Sequence, residues 1–150
     1  MTDANFLLFV DTNILVYATT FESPFYQLAR QTLLNARKQK QILCISQQVL
    51  REYLVVTTRR QGVQTPPPKT AVLRLIDFFQ KHFSIAHDNA DVFSHLQTLI
   101  KNYNLGGKQI HDANIVATMR AHGISQLLTY NVADFKRFED IIQIQTLPSQ

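Results

Sequence analysis

Phe6-Leu7-Leu8-Phe9-Val10-Asp11-Thr12-Asn13-Ile14-Leu15-Val16-Tyr17-Ala18 is the stretch that decides how the rest of the chain is read. Five uncharged apolar residues run straight into Asp11-Thr12-Asn13, and a second apolar run follows at once. A short continuous apolar run reads as a strand buried on both faces, as in a parallel sheet covered by helices. Asp-Thr-Asn reads as the strand's end and a helix cap, because these side chains hydrogen-bond nearby backbone amides. Asp11 is therefore expected where the carboxyl end of a central strand opens to solvent, the edge at which open α/β sheets bind ligands. Taken alone, the stretch also allows Asp11 to be a helix cap and nothing more.

Outward from this unit the same alternation repeats. Ser23-Pro24 predicts a cap and first turn for a helix over 25–40, and Ile42 to Ile45 a second buried strand. Ser46 caps a helix carrying Val49, Leu50, Tyr53, Leu54 and Val56, and Gly62 with Thr65-Pro66-Pro67-Pro68 breaks the chain into a loop. Helices are expected over 69–82, from about 91 to 102 with Asp88 or Asn89 as cap, and from about 111 to a stop at Gly123. Further strands are expected over 83–86, 126–129 and 141–147, with a turn and short helix over 131–138. Strands alternating with helices define an α/β class with a mostly parallel sheet of about five strands. At 150 residues, without an internal repeat or linker, residues 1–150 are expected to form one domain.

Composition narrows the function. No apolar run reaches the length of a membrane span, and the N-terminus lacks a signal peptide's basic region and cleavage site, so a cytoplasmic location is expected. Cys44 is the only cysteine, which excludes an internal disulfide and a cysteine-based zinc site and reads as a packed core thiol. The formal charge of +4 is spread over Arg37, Lys38, Lys40, Arg59, Arg60, Lys136 and Arg137 among others, a modest field that favours polyanionic partners such as nucleic acid. The four glycines, Gly62, Gly106, Gly107 and Gly123, form no phosphate-binding loop. No serine occupies a nucleophile elbow, and the five histidines lack metal-type spacing.

The carboxylates sort by position. Asp3, Glu22, Asp77, Asp88, Asp91, Glu139 and Asp140 fall on termini, turns, helix starts or solvent faces. Asp112 differs: Ile115, Val116 and Met119 stand at its i+3, i+4 and i+7 positions, so it heads the apolar stripe of its helix. A carboxylate aimed at a core must be paired, hydrogen-bonded or metal-bound, and a buried cap is the competing reading. Glu52 borders the apolar face beside Val49 and Val56, and Asp134 lies just past the carboxyl end of the strand around Leu127 and Leu128. If that strand neighbours the first, Asp11 and Asp134 flank one crevice. Four carboxylates gathered there repel by roughly 4 kcal/mol per close pair at an effective dielectric of about 20, so such a cluster requires a cation. All-oxygen ligation selects Mg²⁺ or Mn²⁺ over zinc. His111, beside Asp112, is open to two readings, a substrate contact or a hydrogen-bonded cap.

Four segments together resemble the PIN-domain family, and within it the VapC-type toxins of bacterial toxin–antitoxin pairs: VDTNILVYA around Asp11, QVLREYL around Glu52, IHDANIVATMRAHGI around Asp112 and LLTYNVADF around Asp134. The resemblance spans nearly the whole chain. It implies a PIN-like nuclease domain over residues 1–150, with a parallel sheet flanked by helices and metal-dependent endoribonuclease activity on single-stranded or loop RNA. Carried over by position, Asp11, Glu52, Asp112 and Asp134 become the metal-binding catalytic acids of a Mg²⁺ or Mn²⁺ site, with Asn13, Thr129 and Asn131 as supporting polar residues. Lys108, Lys136 and Arg137 are candidates to steer an RNA backbone, and Tyr17 or Tyr130 to stack on bases, with plain packing as the alternative for both tyrosines. The implied partners are RNA, a small antitoxin that inserts a segment into the cleft, and a second copy of the chain. Pro66 to Pro68 lies outside the family pattern. Two other functions stay open at this point: a DNA or structure-specific nuclease using the same acids, and an RNA-binding scaffold that does not cut. A haloacid-dehalogenase-like phosphatase needs a second aspartate two residues after Asp11, where Asn13 stands.

Overall fold

The first apolar run forms β1 (Leu7–Val10), the central strand of a five-stranded sheet. Leu8, Phe9 and Val10 are all buried. Successive strand side chains point to opposite faces, so both faces of the sheet are covered. β1 pairs in parallel with β2 (Ile42–Ile45) on one side and with β4 (Gln126–Leu128) on the other. β3 (Ser84–Ile85) extends the sheet beyond β2 and β5 (Gln143–Gln145) beyond β4, giving the order β3-β2-β1-β4-β5 with every pair parallel. A computed structural model supplies this description, which covers residues 6–59 and 65–149. Asp3, Arg60 and Gly62, assigned roles above, lie outside them.

The crossovers carry α1 (Thr12–Thr19) and α2 (Tyr26–Lys38) between β1 and β2, α3 (Gln47–Thr58) and α4 (Lys69–His82) between β2 and β3, and α5 (Ala90–Asn102) and α6 (Gln109–Ala121) between β3 and β4. A short α7 (Val132–Phe135) and a 3₁₀ turn over Lys136–Phe138 lead to β5. The chain walks outward from β1 to β3, then returns to lay β4 against the other flank of β1. That reversal is the topological switch point at which open α/β sheets leave a crevice. α6 buries Ala113, Ile115, Val116, Ala117, Thr118 and Met119, nearly its whole circumference, because α5 packs along it. No helix among the described residues is long and apolar enough to cross a membrane.

Several boundaries differ from those expected, for local reasons. Ser23 does not cap α2: its Oγ accepts the Phe25 amide at 3.1 Å, forming a turn ahead of the helix. α2 ends at Lys38, not Lys40, because Lys40 adopts φ of 64°. The Gln41 amide then reaches the Ala36 carbonyl at 3.0 Å and the Lys40 amide that of Arg37 at 2.9 Å, the paired bonds of a Schellman terminus. α6 begins two residues earlier than expected, at Gln109. Regular pairing in β5 covers only Gln143–Gln145, and in β3 only Ser84–Ile85, since edge strands have one neighbour. Cys44 is a packed core thiol, and burial pushes its pKa up to about 11.

Candidate metal and nucleic-acid site

Asp11 sits where β1 ends and α1 begins, with 7% of its surface exposed. Its Oδ1 accepts the Thr12 amide at 2.8 Å, the N-cap bond expected of this residue type. Its Oδ2 accepts the Thr129 hydroxyl at 2.8 Å and the Asn13 amide at 3.2 Å. Burial raises the Asp11 pKa, the bonds from Thr129 and Thr12 oppose that rise, and the Glu52 charge adds to it. The pairing of β1 with β4 makes this possible, because it brings Thr129 to Asp11 and lets the Asp11 amide donate to the Leu128 carbonyl at 2.9 Å. Asn13 ties the same two strand ends together through its Oδ1, which accepts the Tyr130 amide at 3.0 Å. Asn131 donates its amide to Thr129 Oγ1 at 3.1 Å and receives the Asp134 amide on its carbonyl, also at 3.1 Å.

Glu52 projects from α3 and is half-buried. Both its oxygens are held: Oε2 accepts the Thr12 hydroxyl at 3.0 Å and Oε1 the Gln48 amide at 3.0 Å. Gln48, 5% exposed, also donates to the His111 carbonyl at 2.8 Å and accepts from Asn114 Nδ2 at 2.7 Å. One buried glutamine thus fixes Glu52 and locks α3 to the first turn of α6. The reading of the residues missed Thr12 and Gln48 as parts of the site. Thr12 was visible only as a cap, and Gln48 carried no signal, since two of its three partners, His111 and Asn114, are 63 and 66 residues away.

Asp112 and Asp134 contrast with this pair. Asp112 lies in the first turn of α6 above buried Ile115, Val116 and Met119, and Asp134 is exposed on α7. Among the described residues nothing donates a hydrogen bond to either carboxylate. Burial, then the charges of Asp134, Asp11 and Glu52, push the Asp112 pKa up to about 6, against a small opposing effect of His111. All four carboxylates, with Thr12, Asn13, Tyr17 and Asn131, line one cavity of about 400 Å³. Arg59 also reaches its wall, yet no described lysine or arginine ion-pairs with any of the four acids. His111 meets the site through its backbone carbonyl and does not line the cavity, and Arg137 is engaged by the Asn104 carbonyl at 3.2 Å.

The donor set is wholly oxygen, two carboxylates held rigidly and two left open. Among the described residues no three acidic, histidine or cysteine side chains stand close enough to form a ready-made cage. Mg²⁺ does not ask for one, because it keeps several waters and binds through one or two carboxylates together with substrate phosphate. The residues present therefore fit a hydrated, hard divalent cation and do not fit zinc.

A parallel α/β sheet with four carboxylates at its switch point, none of them ion-paired among the described residues, defines the class as an α/β domain with an acidic crevice. The chain belongs to the PIN domain family, whose sequence model matches residues 8–141. It is 24% identical over 133 residues to the ribonuclease VapC24 of Mycobacterium tuberculosis, an alignment covering 88% of this chain and 91% of that one. Its fold is similar to VapBC2 of Rickettsia felis bound to a promoter DNA fragment, with a TM-score of 0.70 at 20% identity over 95% of this chain and 99% of the other. It is also similar to Mycobacterium tuberculosis VapC20, a toxin described as cleaving the sarcin–ricin loop, with a TM-score of 0.66 at 17% identity over 87% of this chain and 94% of that one.

Proposed function

We propose that residues 1–150 form one nuclease domain, a cytoplasmic, divalent-cation-dependent endoribonuclease acting on single-stranded or loop RNA as the toxin of a toxin–antitoxin pair. The observation that carries this reading is the cavity at the β1–β4 edge, where Asp11, Glu52, Asp112 and Asp134 meet without a cationic partner among the described residues. Asp112 and Asp134, whose oxygens have no donors, would hold Mg²⁺ or Mn²⁺, with Asp11 and Glu52 contributing directly or through water. A bound ion supplies charge neutralisation for phosphate oxygens and acidifies water at neutral pH. The chain's own part is to hold the acids in place. Thr12, Thr129 and Asn13 fix Asp11, Thr12 and Gln48 fix Glu52, and the wall leaves room for a phosphodiester. Water attacks phosphorus in line, the P–O3′ bond breaks, and the products carry a 5′-phosphate and a 3′-hydroxyl. No side-chain nucleophile is required.

The test is Asp11→Asn assayed on single-stranded RNA with Mg²⁺, against a DNA oligonucleotide of the same sequence. Loss of at least about a hundredfold in turnover is expected, the scale of removing one charge-stabilising group. Unchanged turnover overturns the assignment, and equal cleavage of DNA replaces it with a general nuclease. A second cavity of about 590 Å³ between α1, α3 and α4 adjoins the first, sharing Val16, Val56 and Arg59. Its continuity with the acidic cavity supports an antitoxin segment as its occupant, and such a segment is expected to suppress RNA cleavage. A homodimer belongs to the same proposal, and light scattering of the purified chain checks it.

A further inference from the structure

Three rings cluster beside the acidic cavity, one of them, Tyr17, lining it. Tyr17 follows Asn13 by four residues on α1, so both lie on one helix face, and both line the cavity with the carboxylates. Tyr130 immediately follows Thr129, the Asp11 partner, and its amide is held by Asn13. Phe25, from the turn before α2, completes the group. Ring centroids lie 5.0 Å apart for Tyr17–Phe25, 4.8 Å for Phe25–Tyr130 and 5.3 Å for Tyr17–Tyr130, the last pair edge-to-face at 87°. The core aromatics Phe9, Tyr53 and Phe138 are fully buried, and the Tyr53 hydroxyl is satisfied by Thr19 at 2.8 Å. Tyr130 is 40% exposed, and neither its hydroxyl nor that of Tyr17 has a hydrogen-bond partner among the described residues. Among the described residues that are not exposed, no side-chain polar atom is both buried and unpartnered, so the Tyr17 phenol end meets solvent. Farther along the same segment, Phe21 packs edge-on against Tyr26, over which the Arg30 guanidinium sits at 5.2 Å from the ring centre.

Aromatic faces next to a proposed phosphate-binding centre are the chemistry by which single-stranded nucleic acids are held, because bases stack on them. We propose that Tyr17, Phe25 and Tyr130 form a stacking subsite for the unpaired nucleobase beside the scissile phosphate. The inference rests on the ribonuclease reading and adds to it a specificity device for the flanking nucleotide. An unpaired base can lay its face on such a ring, whereas a base inside a duplex is already stacked and paired. Single-stranded RNA is thereby selected.

The test is an abasic scan across a mapped RNA cleavage site. For the wild-type chain, deleting the base on one side of the cut lowers kcat/KM by about tenfold, the scale of one lost base–aromatic stack. Tyr130→Ala shows the same loss on intact RNA and no further loss on the abasic substrate, while Tyr130→Phe behaves as wild type. If Tyr130→Ala does not fold, Tyr130→Leu, which keeps apolar bulk without a ring, takes its place. In EDTA, without chemistry, 2-aminopurine at that position is quenched on binding by wild type and not by the variant. Should wild type fail to cut RNA at all, the ribonuclease reading falls, and the quenching experiment still decides the subsite. Equal sensitivity of wild type and Tyr130→Ala to the abasic position overturns the inference. So does a variant normal on RNA that has lost its protein partner, which makes the rings a protein-docking surface.

Discussion

At the scale of single residues, the site divides into acids held by the fold and acids left open, and the two halves predict different behaviour. Asp112 has a folded pKa of about 6 against an ordinary value of 3.8. Between those values the folded state keeps a proton that the unfolded chain releases, so stability falls as pH rises through this window and stays lower above it. Asp112→Asn is therefore expected to melt higher than wild type at pH 8 in metal-free buffer, with the difference gone by about pH 4; thermal melts across that range check it. Gln48 predicts the reverse. Gln48→Ala removes a donor from Glu52 and from the His111 carbonyl and leaves Asn114 Nδ2 only its 3.4 Å bond to Asp88, costing about 1–3 kcal/mol for the lost buried hydrogen bonds. Urea unfolding measures that loss, and an unchanged midpoint sinks the bridging role. Asp112 was legible because its stripe of Ile115, Val116 and Met119 is local. Gln48 was not, because a helix surface glutamine and a buried bridging one look alike until α6 arrives beside α3.

At the scale of elements, local chemistry decided what could be read. β1, β2, α4 and the Ser46 cap emerged at or near their expected bounds, because continuous apolar runs and a single cap residue settle them. β3 and β5 shortened because pairing, not composition, sets where an edge strand ends. The end of α2 is the instructive error. The basic tail reads as helix up to Lys40, yet the chain must leave α2 through a left-handed residue to reach β2. α6 ends through the same motif at Gly123, φ 68°, where the absence of Cβ removes the strain that Lys40 carries. Lys40→Gly is expected to stabilise the chain by about 0.5–1 kcal/mol, the left-handed strain relieved less the added freedom of the unfolded glycine. On a chain of this size that raises Tm by about 2 °C. A lower Tm for the variant contradicts the strain at this terminus.

At the scale of the whole molecule, the one fact that no local pattern supplied was which strands are neighbours. The crevice needed β4 beside β1, and the order β3-β2-β1-β4-β5 places Thr129 and Asp134 next to Asp11 rather than two strands away. Gathering four acids this way loads repulsion into the fold with no described ion pair to offset it. Any salt screens such repulsion, with a Debye length of about 10 Å at 0.1 M, so a rise in Tm with MgCl₂ proves nothing by itself. The discriminating measurement compares MgCl₂ or MnCl₂ with NaCl at equal ionic strength. A specific site adds RT ln(1 + [M]/Kd) to stability, about 2.7 kcal/mol at a hundredfold excess over Kd, and screening alone adds the same for both salts. Asp134→Asn is the matching control, because Asp134 is exposed and free of donors, so the substitution disturbs no packing. The divalent increment is expected in wild type and reduced in Asp134→Asn, while the NaCl response stays nearly equal. Identical curves for both salts in the wild-type chain would mean that the cavity gathers charge without binding a cation, and the hydrolytic reading would lose its physical basis.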